Sequence, residues 1–377
     1  MAAKFLRDSE NAVAKVAEFA FFFIVLGIVF SLIFLGGSYI GSLIESLGAS
    51  YLLPIFQVPA RVIQIPFLDT VMNGLYSGIV LGLGLIIAYL LIFQFAFSLL
   101  EESNFIARVS HDANFIFQKM GLSGRAALPL LFGYSCTVPA VLGARVAKSE
   151  NERLAIGFLA LFLPCAARTS VILALIGAFL GPGMALAVYA IDGLIILVMG
   201  FALAKLLGLK ASKSIFMKPP YKAPSVKNAI YRTYFQMKEF VQVSIPWIVA
   251  GTIFVDLLAA TGALSAIGSV AQPAIAALFG LPKETFVPFV FGIVRGELVL
   301  VMLASVGHTT DFSILLSERQ MLVFAIISMI YVPCLSTIAA LMKEFGNRRA
   351  ALILAANLIL TLIIGVAANA ILSLFLA

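Results

Sequence analysis

Apolar runs long enough to cross a bilayer core, about 20 residues each, recur along the chain between short polar gaps. They fall at roughly 18–40, 71–100, 154–180, 184–207, 239–260, 321–342 and 350–376. Two further apolar pieces, about 126–147 and 284–306, are interrupted. The first contains Gly133, Cys136 and Pro139; the second contains Gly292, Arg295 and Glu297. Gly, Pro and charge inside an apolar run predict a broken helix or a re-entrant hairpin. The pattern predicts an all-α polytopic membrane protein with seven full spans and two re-entrant hairpins.

Charge placement gives the expected orientation. Of 377 residues, 62% are hydrophobic and 11% charged, against about 25% charged in a soluble domain. The net charge of +7 sits in the gaps between apolar runs, as in cytoplasmic loops of membrane proteins, which argues against nucleic-acid binding. The 205–238 segment carries Lys205, Lys210, Lys213, Lys218, Lys222, Lys227, Arg232 and Lys238. The N-terminus and the gaps holding Arg108 and Lys119, Arg145 and Lys148, and Arg348 and Arg349 are also basic. All face the cytoplasm together if the interrupted pieces are re-entrant, with the N-terminus inside and the C-terminus outside. No cleavable signal peptide is expected, because the first run is long enough to remain as a span.

The chain repeats itself. Gly121 and Gly280, Pro129 and Pro288, Phe132 and Phe291, and Gly133 and Gly292 are each 159 residues apart. Glu152-Arg153 precedes Pro164-Cys165, and Glu318-Arg319 precedes Pro333-Cys334. Three full spans in each half make the second copy start from the opposite side, an inverted repeat with its site near the midplane. The expected divisions are an N-terminal helix and external linker (1–70), a first gate-like repeat (71–207), a basic cytoplasmic loop (208–238) and a second repeat (239–377).

The three cysteines, Cys136, Cys165 and Cys334, all lie beside prolines in breaks. Proline frees the carbonyl one turn earlier, and a thiol beside a freed carbonyl is a candidate soft metal ligand. The alternative is a small packing residue. Glu297 lies between Gly296 and Leu298 and needs a cavity or a partner, such as Arg295. Glu101, Glu344 and Asp256 are weaker candidates, with Asp192. Glu344 and Arg168 are expected near the surface, in loop or headgroup contacts. His111 and His308 read as loop residues and Trp247 as an anchor. No phosphate-binding loop or hydrolytic triad is present, so a transporter rather than an enzyme is expected.

Several of these stretches are similar to one family. Leu99 to Arg108, Gly121-Leu-Ser-Gly124, Gly133-Tyr-Ser-Cys136-Thr-Val-Pro139, Arg145, Glu152-Arg153 and Pro164-Cys165-Ala-Ala-Arg168 resemble the membrane domain of ferrous iron transport protein B (FeoB). The second half matches more loosely, through Gly292 to Glu297, Pro333-Cys334 and Glu344-Phe-Gly346. The family's N-terminal GTP-binding domain has no counterpart here. Its usual Gly-Cys-Asn reads Ser-Cys136-Thr, and its usual Lys reads Gly296.

The resemblance implies a cell-membrane permease for Fe²⁺, which is cargo rather than a tightly held cofactor. It also implies a separate small GTPase or FeoA-like partner, beside membrane lipid and a possible homo-oligomer. Cys136, Cys165, Cys334 and Glu297 are the metal candidates. The gate-like repeats also resemble the wider nucleoside-recognition group. The alternative reading is therefore a permease for a small organic solute, using Tyr134, Ser135, Thr137 and Thr169. A further alternative is a membrane receptor whose basic loop docks a cytosolic protein.

Overall fold

The computed structural model describes residues 91–134, 136–209, 220–294, 298–307, 311–331 and 333–375, with scattered single positions besides. The expected span over 18–40 and most of that over 71–100 lie outside the described residues, as do Ser135, Arg295, Glu297 and His308. Every regular element among the described residues is helical.

In the first half, α1 (Ile92–Glu102) and α2 (Phe105–Lys119) lead to a hairpin of α3 (Ala127–Gly133) and α4 (Thr137–Gly143). A broken segment follows, α5 (Glu150–Leu159) and α6 (Ala166–Ile172, prolonged by a wide turn over Leu173–Gly177), and then the continuous α7 (Pro182–Leu206). In the second half, α8 (Val226–Ala260) and α9 (Ala263–Phe279) lead to a hairpin of α10 (Phe286–Val294) and α11 (Leu298–Gly307). After the short α12 (Phe312–Leu315) come the broken pair α13 (Glu318–Ile330) and α14 (Leu335–Phe345), and α15 (Asn347–Phe375).

Four of these segments are long and apolar enough to cross a membrane: α7, Val226–Val255 of α8, the α13–α14 pair and α15. Their outer faces are apolar: Leu186, Leu194 and Val198 on α7 and Leu352, Ile359 and Ile363 on α15 are exposed. Such faces suit lipid, while the helices satisfy their own backbone groups. The chain is an all-α, multi-pass membrane protein.

The segment over 154–180, expected as one span, is two half-helices. Pro164 and Pro333 explain both breaks: each lacks an N–H and pushes the residue before it out of the helical region. The helix expected from 239 begins at Val226, inside the segment read as a loop. Ser225 Oγ accepts from the Asn228 N–H at 3.4 Å. Thr233 is buried and its hydroxyl lies 3.3 Å from that of Ser98 on α1. The resulting 35 residues span about 50 Å, beyond the bilayer core of about 30 Å. Helix α9 was not anticipated, because its 17 residues, with Pro273 inside, fall short of a span.

The repeat is visible in the fold. Gly121 and Gly280 both adopt positive φ, 69° and 64°, and each precedes a single tight turn, Gly124–Ala126 or Lys283–Thr285. The caps Ser149 and Ser317 accept from the third residue of their helices, Glu152 and Gln320. At this point the register therefore pairs Glu150 with Glu318, two residues from the sequence match. The buried Ala185, Val188, Asp192 and Gly200 of α7 each lie 165 residues before the buried Ala350, Ile353, Asn357 and Gly365 of α15.

Candidate functional site

Each cysteine stands immediately before a half-helix, in extended backbone: Cys136 before α4, Cys165 before α6 and Cys334 before α14. None is in a disulfide and all are partly exposed. Cys334 Sγ lies 3.2 Å from Thr337 Oγ1. Cys165 and Cys334, one from each break, are within electrostatic reach of one another. Cys136 sits at the first hairpin break and packs against the core.

The second hairpin reaches the same place. A Cβ on Gly296 would stand 3.1 Å from that of Ala167. This close approach accounts for glycine where the resemblance expects lysine. It also brings Gly296 of the second hairpin against Ala167 of α6, which is one residue from Arg168 and two from Cys165 along the chain.

Arg168 is not at the surface; only 7% of it is exposed. Its Nη1 donates to the Leu161 carbonyl at 2.6 Å and its Nη2 to the Tyr331 carbonyl at 3.1 Å. One guanidinium thus holds carbonyls of both breaks, which need partners in a membrane. In the second repeat, Asn357 Nδ2 at 3.1 Å and Thr361 Oγ1 at 2.9 Å donate to the Ile330 carbonyl. Asp192 is buried within electrostatic reach of Arg168, Tyr134 and Tyr189. Sequence reasoning underrated both Arg168 and Asp192; the signal was charge inside an apolar run.

Glu344 is likewise buried rather than at the surface. It accepts from Arg145 Nε at 2.7 Å and Arg153 Nε at 2.9 Å, tying the first repeat to α14. Ten residues along that helix, it stands about 15 Å from Cys334. Glu152 accepts from the Ser123 and Lys148 N–H groups at 2.7 and 3.0 Å. Glu101 pairs with Arg232 at the start of α8. Asp256 falls within α8, its side chain outside the described residues. His111 lies on α2, and Trp247 is exposed on α8. A cavity of about 490 Å³ separates the first hairpin from α8, with Pro129, Pro139, Tyr231 and Arg232 in its lining. Among the described residues no group of three or more His, Cys, Asp or Glu is arranged to hold a metal.

Two hairpin-bearing repeats, packed through paired helix breaks that carry partly exposed thiols beside a buried arginine and a buried carboxylate, define a gate-type membrane module. The chain belongs to the Gate family, described as nucleoside recognition, whose model matches residues 83–179 and 241–348. It is 28% identical over 308 residues to the Fe(2+) transporter FeoB of Staphylococcus aureus (strain COL), covering 74% of this chain and 45% of that protein. The Fe(2+) transporter FeoB of Methanocaldococcus jannaschii is 28% identical over 304 residues, 72% of this chain and 45% of its own. That of Salmonella typhimurium (strain LT2) is 34% identical over 153 residues, 38% of this chain and 19% of its own. The chain thus spans under half the length of these relatives. No solved structure matches it.

Proposed function

We propose that this chain is a cell-membrane permease for a divalent metal ion, Fe²⁺, which passes through a site between the two repeats. The observation that carries the reading is that Cys165 and Cys334, one from each break, lie within electrostatic reach of one another, with Gly296 of the second hairpin close against Ala167 just beyond the first break. The similarity to Fe(2+) transporters supports the choice of ion. Cys165 and Cys334 serve as ligands, and Glu297 supplies charge from the hairpin tip. Cys136 marks the approach along the first hairpin. Fe²⁺ accepts mixed sulfur and oxygen ligation, and incomplete coordination lets the ion leave. Glu101 and Glu344 act as ion-pair ties, and Asp256 as a flanking charge. Movement of one inverted repeat against the other would expose the site alternately. The N-terminus would face the cytoplasm, where a separate small GTPase or FeoA-like protein would couple to the chain.

The test is anaerobic Fe²⁺ binding by the purified chain beside Cys165→Ser/Cys334→Ser. Binding lost in a variant with unchanged helicity and melting temperature supports the site. Equal binding by both removes the cysteines from it. The family's association with nucleoside recognition favours a second reading, a permease for a nucleoside-like solute using Tyr134, Thr137 and Thr169. Flux that survives thiol modification would select it.

A further inference from the structure

We propose that Asp192 is the carboxylate at which this permease exchanges a proton for its cation. The proposal rests on the reading of the chain as a cation permease and adds the coupling ion.

The argument starts from the repeat. Asp192 and Asn357 occupy equivalent places: Gly181 and Gly346, with φ of 90° and 77°, open the two helices, and the buried positions that follow agree in register. Asn357 has a structural task, since its amide donates to the Ile330 carbonyl of the α13 break. Leu161, equivalent to Ile330 when Cys165 is matched to Cys334, offers the corresponding carbonyl in the α5 break. Arg168 already holds that carbonyl. Asp192 cannot donate there as a carboxylate and is not needed there. The second repeat keeps a neutral amide at this place and the first keeps an ionisable acid.

The acid is poorly provided for. It is 2% exposed and its Oδ1 has no hydrogen-bond partner. Asn357 also leaves an oxygen unpartnered, but that oxygen is neutral. A buried carboxylate with an unpartnered oxygen is far costlier and is relieved by a proton or a cation. Arg168 is within electrostatic reach, yet two of its N–H groups are committed to carbonyls.

The surroundings point to exchange with the cargo site. Helix α7 packs against α5, α13 and the turn that prolongs α6. From the α6 segment come Arg168 and Cys165, from the first hairpin Tyr134, and from α7 itself Tyr189. Tyr189 lies near Thr169 and within electrostatic reach of both Asp192 and Cys165. Glu150, Glu152 and Arg153 lie at the start of α5, and Glu318 and Arg319 at the start of α13, away from the breaks. Tyr331 follows the last turn of α13. Among the described residues, Arg168 is the one cation within electrostatic reach of Asp192.

A divalent ion arriving at the Cys165–Cys334 pair makes the ionised form of Asp192 favourable. The carboxyl O–H bond breaks, and the proton leaves to the side from which the ion came. After the ion is released on the other side, Asp192 takes up a proton there. One proton moves opposite to each ion, with no net oxidation or reduction.

The test uses the full chain in proteoliposomes, with entrapped pH dye, membrane potential clamped at zero and anaerobic Fe²⁺ outside. The wild type should alkalinise the lumen as Fe²⁺ enters. A lumen one pH unit more acidic should raise the final accumulation ratio about tenfold, the ratio carried by one exchanged proton per ion. Asp192→Asn copies the equivalent Asn357 and should fold; it should lose both effects. Proton counterflow in Asp192→Asn, or Fe²⁺ entry without counterflow in the wild type, would overturn the proposal. Infrared titration without metal separates this from failure of the permease reading. A protonated carboxyl band at neutral pH, missing in Asp192→Asn, supports the proposal even if Fe²⁺ is not the cargo. No such band in a well-folded wild type overturns it.

Discussion

The two helix breaks have the same origin and different furnishings. Both follow a capped helix, both are made by a Pro-Cys pair, and both present freed carbonyls in the membrane interior. In the second repeat, Asn357 and Thr361 of the next helix close the Ile330 carbonyl with neutral donors. In the first, a charged side chain from the half-helix just beyond the break closes Leu161 and reaches across to Tyr331. The residue that would match Asn357 is Asp192. One break is held by neutral groups, and the other gathers the charge. The difference teaches that a repeated fold can reserve one copy for structure and the other for chemistry.

The largest effect expected from breaking this comparison is at Arg168. Arg168→Leu removes a donor from the Leu161 and Tyr331 carbonyls and the nearby cation from Asp192. It should destabilise the protein by about 3–5 kcal/mol, the cost of breaking a buried charge arrangement. Thermal unfolding in detergent checks this, and a change below about 1 kcal/mol would mean that the guanidinium does not hold the breaks together. Asn357→Ala removes one of two donors to Ile330 and should cost about 1–2 kcal/mol. It should leave thiol labelling of Cys165 unchanged, because its place lies in the other break. The smallest effect belongs to the caps: Ser317→Ala, which dissolves a reciprocal capping box, should cost about 1 kcal/mol. Ser149→Ala should cost less, since Glu152 keeps its bonds to Ser123 and Lys148.

Much of this architecture was legible in the sequence, for a physical reason. The interior of a bilayer forbids unpaired backbone, so Pro, Gly and charge within apolar runs mark the breaks directly. The hairpins and the repeat could be read from Gly133, Gly292, Pro164 and Pro333. What stayed hidden depends on direction in space. A helix of ordinary length such as α9 gives no hydropathy signal of a span. Basic residues hid the early start of α8, because Arg232 is a surface charge to a sequence and an ion-pair partner of Glu101 in the fold. Arg168 and Glu344 read as surface charges because their distance from the apolar centre, not their partners, was visible. Gly296 read as a departure from family pattern until its approach to Ala167 gave it a reason.

The most direct test of the central claim is anaerobic Fe²⁺ uptake into proteoliposomes by Cys165→Ser/Cys334→Ser beside the parent chain, with melting temperatures measured on the same preparations. The account predicts uptake reduced at least tenfold with melting temperature unchanged, since losing both ligands removes at least about 1.4 kcal/mol of ion binding. Uptake equal to the parent in the stable double variant would contradict a metal site between the two breaks.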